Sequence, residues 1–125
     1  MIHGLHHIAI LCSEKARSLA FYADALGFSV RETHKRPERG DEIVMLEGYG
    51  ITLELFVSPH NPPRVTSPEA YGLRHLALRV TDPEALVSRL VSLGYSPEPI
   101  RHDTFTGEAM TFVKDPDGLP VELHE

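Results

Sequence analysis

The chain has 125 residues, with 12 basic against 18 acidic side chains, a formal net charge of −6. This acidic balance, with no basic run, argues against nucleic acid as a partner, and no apolar run approaches a membrane span in length. Cys12 is the only cysteine, so an internal disulfide is excluded, and no secretory signal pattern is visible. We expect a cytoplasmic protein with a single domain, residues 1–125.

The first half of the chain is predicted to form a βαβββ unit, repeat 1, over about residues 5–57. Alternating apolar residues predict a strand near 5–12, and helical spacing predicts a helix over 14–26 that Gly27 ends. Glycines then separate three further strands, near 28–34, 42–47 and 51–57.

A proline-rich connector over about 58–72 leads to a second unit of the same kind, repeat 2, over about 73–124. Its predicted elements follow the same order. Asp82-Pro83 begins a helix that Gly94 ends, between a strand near 73–80 and later strands near 96–101, 108–113 and 119–124.

Two residue pairs recur at the same interval. His7 and His75 are 68 positions apart, and so are Glu54 and Glu122. The segments around them match as well, since His7-Ile8-Ala9 falls on His75-Leu76-Ala77. Such a repeat indicates one supersecondary unit used twice, with equivalent residues related by a pseudo-twofold axis.

Strand alternation places each glutamate opposite the aliphatic residues that its helix must cover. Glu54 lies between Leu53 and Leu55, and Glu122 between Val121 and Leu123, so both carboxylates are predicted to face a concavity. Two carboxylates that converge in one cavity repel each other unless a cation is present. A divalent metal bound by His7, Glu54, His75 and Glu122 would resolve this repulsion and use both imidazoles.

Other histidines are weaker candidates. A single histidine on a strand is more often a hydrogen-bonded structural residue than a ligand. His6 neighbours His7, but the offset aligns it with Arg74 rather than with a histidine. His34 and His102 are also 68 positions apart, yet no matched carboxylates accompany them, so we interpret them as residues at the rim.

The motifs, taken in order, resemble the vicinal oxygen chelate superfamily, and within it glyoxalase I (lactoylglutathione lyase), with small bacterial glyoxalase-I-like proteins as the nearest likeness. The resemblance runs from Leu5 to His124. The motifs that carry it are His7-Ile8-Ala9-Ile10, Phe21-Tyr22, Leu26-Gly27-Phe28, Glu54-Leu55, Gly72-Leu73-Arg74-His75-Leu76-Ala77, Phe112-Val113-Lys114-Asp115-Pro116-Asp117-Gly118 and Glu122-Leu123.

The resemblance implies an α+β fold in which paired βαβββ repeats form a curved mixed sheet or open barrel. It also implies a homodimer and a His2Glu2 centre at His7, Glu54, His75 and Glu122 for one divalent ion, Zn²⁺, Ni²⁺, Co²⁺ or Mn²⁺. Whether one chain or two supply the ligands to each ion is left open.

The implied activity is isomerisation of the hemithioacetal of a 2-oxoaldehyde, such as methylglyoxal, with a thiol, through an enediolate stabilised by the metal. Glu122 is the better candidate for the base that moves the proton, with Glu54 serving the mirror-image substrate or remaining a ligand.

Three positions bear on the substrate. Leu11 and Ser58 stand where well-characterised glyoxalase I enzymes have an arginine and an asparagine, which weakens the expectation that glutathione is the thiol. Arg79 is the repeat equivalent of Leu11, and we expect it either to bind an anionic part of the substrate or to pair with an acidic neighbour at the rim.

Two other classes of function compete. One is different metal chemistry in the same superfamily, a ring-cleaving dioxygenase or a thiol transferase, both of which use two histidines and one carboxylate. The other is a metal-free binding or resistance module, which would lack the four ligands. The second glutamate argues against the first class, and the complete ligand set argues against the second.

Overall fold

The computed structural model describes residues 1–125, which divide into two compact units, Met1–Pro62 and Pro63–Glu125. The division falls inside the predicted proline-rich connector. Each unit contains one βαβββ motif, so the predicted repeat is present in the backbone. The single domain over 1–125 stays a prediction.

Unit 1, Met1–Pro62, is a four-stranded mixed sheet with one helical segment. In the sheet order β1-β4-β3-β2, β1 is parallel to β4 and the other neighbours are antiparallel. The elements in chain order are β1 Ile8–Cys12, α1 Lys15–Leu19, a π-helical continuation Ala20–Ala25, β2 Ser29–Arg36, β3 Asp41–Gly48 and β4 Ile51–Val57.

The helical segment of unit 1 differs from the predicted regular helix. The N–H of Leu26 donates to the carbonyl of Phe21, five residues earlier, at 3.0 Å, as in a π-helix. Phe21 and Tyr22 are fully buried there. Apolar spacing predicts a helix and its buried face, but it does not distinguish bonds over four residues from bonds over five.

Unit 2, Pro63–Glu125, repeats the architecture with shorter strands. Its sheet has the order β5-β8-β7-β6, with β5 parallel to β8. The side chain of Asp82 caps its helix by accepting the N–H of Ala85 at 2.9 Å. The elements are β5 Leu76–Arg79, α2 Pro83–Ser92, β6 Arg101–His102, β7 Ala109–Lys114 and β8 Pro120–His124.

The strand predicted near 96–101 is wrong over most of its length, since only Arg101–His102 pairs as β6. Pro97 and Pro99 have no N–H to donate to a sheet ladder. Glu98, between them, still bonds to β7: its N–H donates to the carbonyl of Phe112 at 2.8 Å. The segment therefore runs beside β7 without continuous pairing.

The last strand of each unit alternates as predicted. Leu53 and Leu55 are fully buried, as are Val121 and Leu123 in the other unit. The intervening side chains, including both glutamates, are only partly buried on the opposite face. No helix of the structure has the length and apolarity needed to cross a membrane.

Candidate metal centre

Parallel pairing of the first and last strands brings each predicted imidazole next to its carboxylate. In unit 1 Ala9 is the register partner of Glu54, and in unit 2 Ala77 is the partner of Glu122. His7 and His75 each lie one residue before β1 and β5 and precede that alanine by two residues, the spacing at which extended residues share a face. The same sequence interval thus produces the same local geometry twice.

Each unit brings one of the two predicted imidazole–carboxylate pairs into contact. His7 Nε2 lies 3.2 Å from Glu54 Oε2, with 36% of the imidazole side chain and 21% of the carboxylate side chain exposed. His75 Nε2 lies 2.9 Å from Glu122 Oε2, with 28% and 12% exposed. The second pair is the tighter and the better shielded.

The neighbouring His6 takes a different position. Its Nδ1 lies 2.8 Å from Nδ1 of His7, and the two rings meet edge to face. His7 therefore directs its other ring nitrogen to Glu54, while His6 contacts the far side of the His7 ring. The contact with Glu54 is therefore made by His7, and the role of His7 as a metal ligand stays a prediction.

The turn before β4 fixes the position of Glu54. Tyr49 and Gly50 both have positive φ, 55° and 75°, as in the two-residue turns that suit a twisted hairpin. The Tyr49 hydroxyl donates to the carbonyl of Leu26 at 2.6 Å, and its ring packs against Phe28. The hairpin is thereby attached to the end of the helical segment.

The turn before β8 fixes Glu122 by a different device. The buried carboxylate of Asp115 accepts the N–H groups of Asp117 and Leu119 through Oδ1, both at 2.9 Å. Gly118 adopts φ +90°, which favours glycine. One buried side chain therefore organises the whole Asp115-Pro116-Asp117-Gly118 turn.

The donor atoms fit a divalent ion. Two ligands of one ion with bonds of about 2.0–2.2 Å lie roughly 2.9–3.4 Å apart, and the nitrogen–oxygen separations in both pairs, 3.2 and 2.9 Å, fall in this interval. Imidazole and carboxylate are ligands that Zn²⁺ and its neighbours accept. No group of three or more His, Cys, Asp or Glu side chains that could hold a metal ion occurs, so the structure brings the four predicted ligands together only as two separate pairs.

A cavity of about 650 Å³ adjoins the pair in unit 2. His75 and Phe112 belong to its lining, and their rings meet edge to face with centroids 5.2 Å apart. Four basic side chains and two acidic ones complete its charged lining: Arg64, Arg74, Arg101, Lys114, Glu69 and Glu98.

The comparison with known proteins identifies the family. Residues 4–123 match the model of the Glyoxalase/Bleomycin resistance protein/Dioxygenase superfamily. The chain belongs to this superfamily. It is 46% identical over 126 residues to the uncharacterized protein YwkD of Bacillus subtilis, covering 100% of this chain and 98% of that protein.

Two further relatives place the chain within the superfamily. A probable lactoylglutathione lyase of Synechocystis is 30% identical over 125 residues, covering 95% of this chain and 92% of that protein. The crystal structure of a glyoxalase family protein from Enterococcus faecalis superposes with a TM-score of 0.93 at 45% identity, covering 98% and 97% of the two chains. The vicinal oxygen chelate resemblance and the βαβββ fold are thus confirmed.

Arg79, the residue predicted to bind an anionic part of the substrate, does not line the cavity of unit 2. It is exposed at the end of the edge strand β5 and does not belong to the cavity lining. Leu11, its repeat equivalent, is 58% exposed on β1. Binding of an anionic substrate group by Arg79 stays a prediction.

Sequence reasoning missed the cations that do line the cavity. In the sequence Phe112 and Lys114 stand out only as parts of the family motif, although their alternation with buried Thr111 and Val113 marks them as one face of β7. Arg101 falls at the end of the strand predicted near 96–101, of which the structure forms only Arg101–His102. The alternation was the available signal for β7, but no local pattern indicated where Arg101 would lie.

His124, at the end of β8, has two carboxylate neighbours. Its Nε2 lies 3.2 Å from Asp103 and its Nδ1 3.4 Å from Glu108. Bonding to the Glu125 carbonyl, and then to Asp103, raises the pKa of His124. Backbone N–H groups, first that of Phe105, together with His124 lower the pKa of Asp103. These contacts attach the β6–β7 loop to the end of β8.

Proposed function

We propose that the protein is a metal-dependent isomerase of the glyoxalase I type, acting on the hemithioacetal of a 2-oxoaldehyde or a similar substrate with vicinal oxygens. The observation that carries the proposal is the recurrence of one imidazole–carboxylate pair in both units, at 3.2 and 2.9 Å. Duplicated pairs of this kind are unexpected for a binding module that uses no metal, because burying each glutamate is costly.

The proposed ligands are His7, Glu54, His75 and Glu122, with the two units supplied by one chain or by two copies of a homodimer. When bound, a divalent ion such as Zn²⁺, Ni²⁺, Co²⁺ or Mn²⁺ supplies positive charge for the vicinal oxygens of the substrate. All four side chains lie on or beside strands, so their positions are set by the sheet rather than by a mobile loop.

Glu122 is the proposed base. Its carboxylate takes the proton from the hemithioacetal carbon and returns it to the neighbouring carbon, while the hydroxyl and the carbonyl of the substrate exchange roles. No atom is lost, so the product is the thioester of a 2-hydroxy acid and no oxidant is needed. Glu122 is less exposed than Glu54, 12% against 21%, which favours it as the carboxylate kept from bulk water.

His75 is the proposed metal ligand beside this base. Its Nε2 faces Glu122 at 2.9 Å, and the edge of its ring meets Phe112. Phe112 is also the register partner of Glu122 across β7 and β8. The aromatic ring therefore lies beside both groups and limits the water that reaches them.

The test is turnover of methylglyoxal with glutathione, cysteine or coenzyme A by protein reconstituted separately with each of the four metals. We expect one divalent ion per site and thioester formation with at least one thiol. Glu122→Gln is expected to lower kcat by about 10²–10⁴-fold, the range for loss of a general base.

Glu84→Gln is the matched control, since it neutralises an exposed glutamate on α2. It is expected to retain full turnover. Full turnover by Glu122→Gln would contradict the assignment of the base. Protein that binds none of the four ions would instead favour the metal-free binding module, and oxygen-dependent turnover with iron would favour a dioxygenase.

A further inference from the structure

The cavity of unit 2 is positively charged in an acidic protein. Its lining has four cations, Arg64, Arg74, Arg101 and Lys114, against the carboxylates of Glu69 and Glu98, whereas the whole chain carries a formal charge of −6. The cations remain in excess even when Glu122, which bonds to His75, is counted with the lining. Such a local reversal of sign favours an anionic ligand.

Two of the four cations are engaged within the protein. Arg64 Nη2 donates to the carbonyls of Leu73 and Arg74, each at 2.9 Å, and so supports the backbone just before His75. Arg74 Nε donates to Glu69 at 2.7 Å. These contacts use the donors of Arg64 and Arg74 to position the chain around the cavity.

The other two cations are available to a ligand. Lys114 is exposed at the end of β7 and has no ion-pair partner. Arg101 contacts Glu98 through one nitrogen at 3.2 Å, with 56% and 50% of the two side chains exposed. An exposed pair of this length contributes little to stability, so a carboxylate can replace Glu98 at the guanidinium at small cost.

Phe112 connects these cations to the proposed metal ligand. The guanidinium of Arg101 lies over the Phe112 ring, 5.4 Å from its centroid, and the His75 ring meets the same ring at 5.2 Å. Lys114 shares the face of β7 with Phe112, two residues along the strand. Phe112 therefore contacts both Arg101 and His75, and Lys114 lines the same cavity.

We infer that Arg101 and Lys114 bind a carboxylate of the substrate, with a short apolar or planar segment beside Phe112 that joins this carboxylate to the vicinal oxygens. This names the substrate class of the proposed site. It rests on the proposed function only for the part of the ligand that faces the metal, because the carboxylate site is formed by unit 2 alone.

Two hydroxamates test the inference. Benzohydroxamate presents two adjacent oxygens and an aromatic ring, and 4-carboxybenzohydroxamate adds one carboxylate at the far end. We expect the carboxylated compound to bind the zinc-reconstituted protein about tenfold more tightly, since charge-assisted hydrogen bonds are the stronger kind. Calorimetry gives both dissociation constants.

Lys114→Gln and Arg101→Gln are each expected to reduce this tenfold preference to threefold or less, with benzohydroxamate affinity unchanged. Arg89→Gln is the matched control, because it removes a cation from α2, outside the cavity lining, and should keep the preference. Lys114 has no partner to lose, so its variant tests binding even if Arg101→Gln is poorly folded.

The outcomes separate this inference from the proposed function. Equal affinity of the two compounds would overturn the carboxylate site and leave the metal proposal standing. Binding of the carboxylated compound alone, dependent on Lys114, would support the carboxylate site and contradict the metal centre. Failure of both compounds to bind at millimolar concentration would overturn both.

Discussion

Each unit has an equivalent imidazole–carboxylate pair, but the units differ in how strongly a carboxylate binds the arginine that lies over an aromatic ring. In unit 1 the guanidinium of Arg36 lies over Phe56 at 5.3 Å and bonds twice to Asp41, at 2.7 and 2.5 Å. In unit 2 Arg101 lies over Phe112 with a single longer contact to Glu98. The first cation is held by two short bonds to its carboxylate, whereas the second has one longer contact.

The two units also differ in whether a cavity reaches the predicted histidine. In unit 2 the 650 Å³ cavity reaches His75, whereas a cavity of about 520 Å³ in unit 1 lies at the Tyr49–Gly50 turn and does not include His7. Duplication has therefore kept the proposed ligand pair equivalent while the surroundings have diverged. If both proposals hold, metal binding is common to the two units and ligand recognition is concentrated in unit 2.

Matched core truncations give the largest expected effect. Leu55→Ala and Leu123→Ala alter equivalent, fully buried positions, and each should lower the free energy of unfolding by about 2–5 kcal/mol. Because units of about 60 residues are marginal alone, we expect a single unfolding transition for both variants. Urea denaturation followed by circular dichroism measures both quantities.

Val91→Ala is the control, since Val91 is 58% exposed on α2 and should change stability by no more than about 0.5 kcal/mol. Two separate transitions would show that the units unfold independently, against the predicted single domain. A large loss for one leucine and none for the other would show that only one unit limits stability.

The equivalence of the units is the part that the sequence predicts. His7, Glu54, His75 and Glu122 are recognisable because strand periodicity and a constant offset act together, and neither depends on side-chain torsion angles. The π-helical continuation from Ala20 is invisible to the same reasoning, since it buries the same face as an α-helix would.

The asymmetry between the units is the part that the sequence does not predict. Expecting Arg79 to bind substrate because it is the repeat equivalent of Leu11 assumes that the surroundings of the two positions are also repeated. They are not, since Arg79 lies outside the cavity lining. Arg101 reaches Phe112 because Pro97 and Pro99 prevent regular pairing before β6, an effect of chain path rather than of local pattern. Ligand recognition depends on such paths, so it has to come from the structure.

The turns before the two carboxylate strands provide the second prediction. Asp115→Ala removes a buried acceptor of two N–H groups and should lower the free energy of unfolding by about 1–3 kcal/mol. Tyr49→Phe removes one hydrogen bond to Leu26 and should cost about 0.5–1.5 kcal/mol. Thermal or urea unfolding of both variants gives the comparison.

Asp115→Asn separates the loss of charge from the loss of the acceptor, because its amide oxygen can still receive both N–H groups. We expect it to be less destabilised than Asp115→Ala. A Tyr49→Phe loss that exceeds the Asp115→Ala loss would show that unit 1, and not unit 2, depends more on its turn.

The smallest expected effect concerns pH and the neutralised cation of unit 1. The hydrogen bonds from Arg36, followed by its charge, hold the pKa of Asp41 below its ordinary value. A carboxylate with a lowered folded-state pKa contributes stability above its unfolded pKa, about 4, and loses it as the pH falls through the lower folded-state value. Asp41→Asn should therefore be less stable than the parent protein at pH 6, with the difference shrinking as the solution is acidified below about pH 4.

Glu38→Gln, which removes an exposed carboxylate of the same hairpin turn, should show little of this dependence, and melting temperatures measured between pH 3 and pH 7 compare the two. A constant difference in melting temperature between Asp41→Asn and the parent protein across that range would mean that the Arg36–Asp41 bonds stabilise unit 1 without depending on charge.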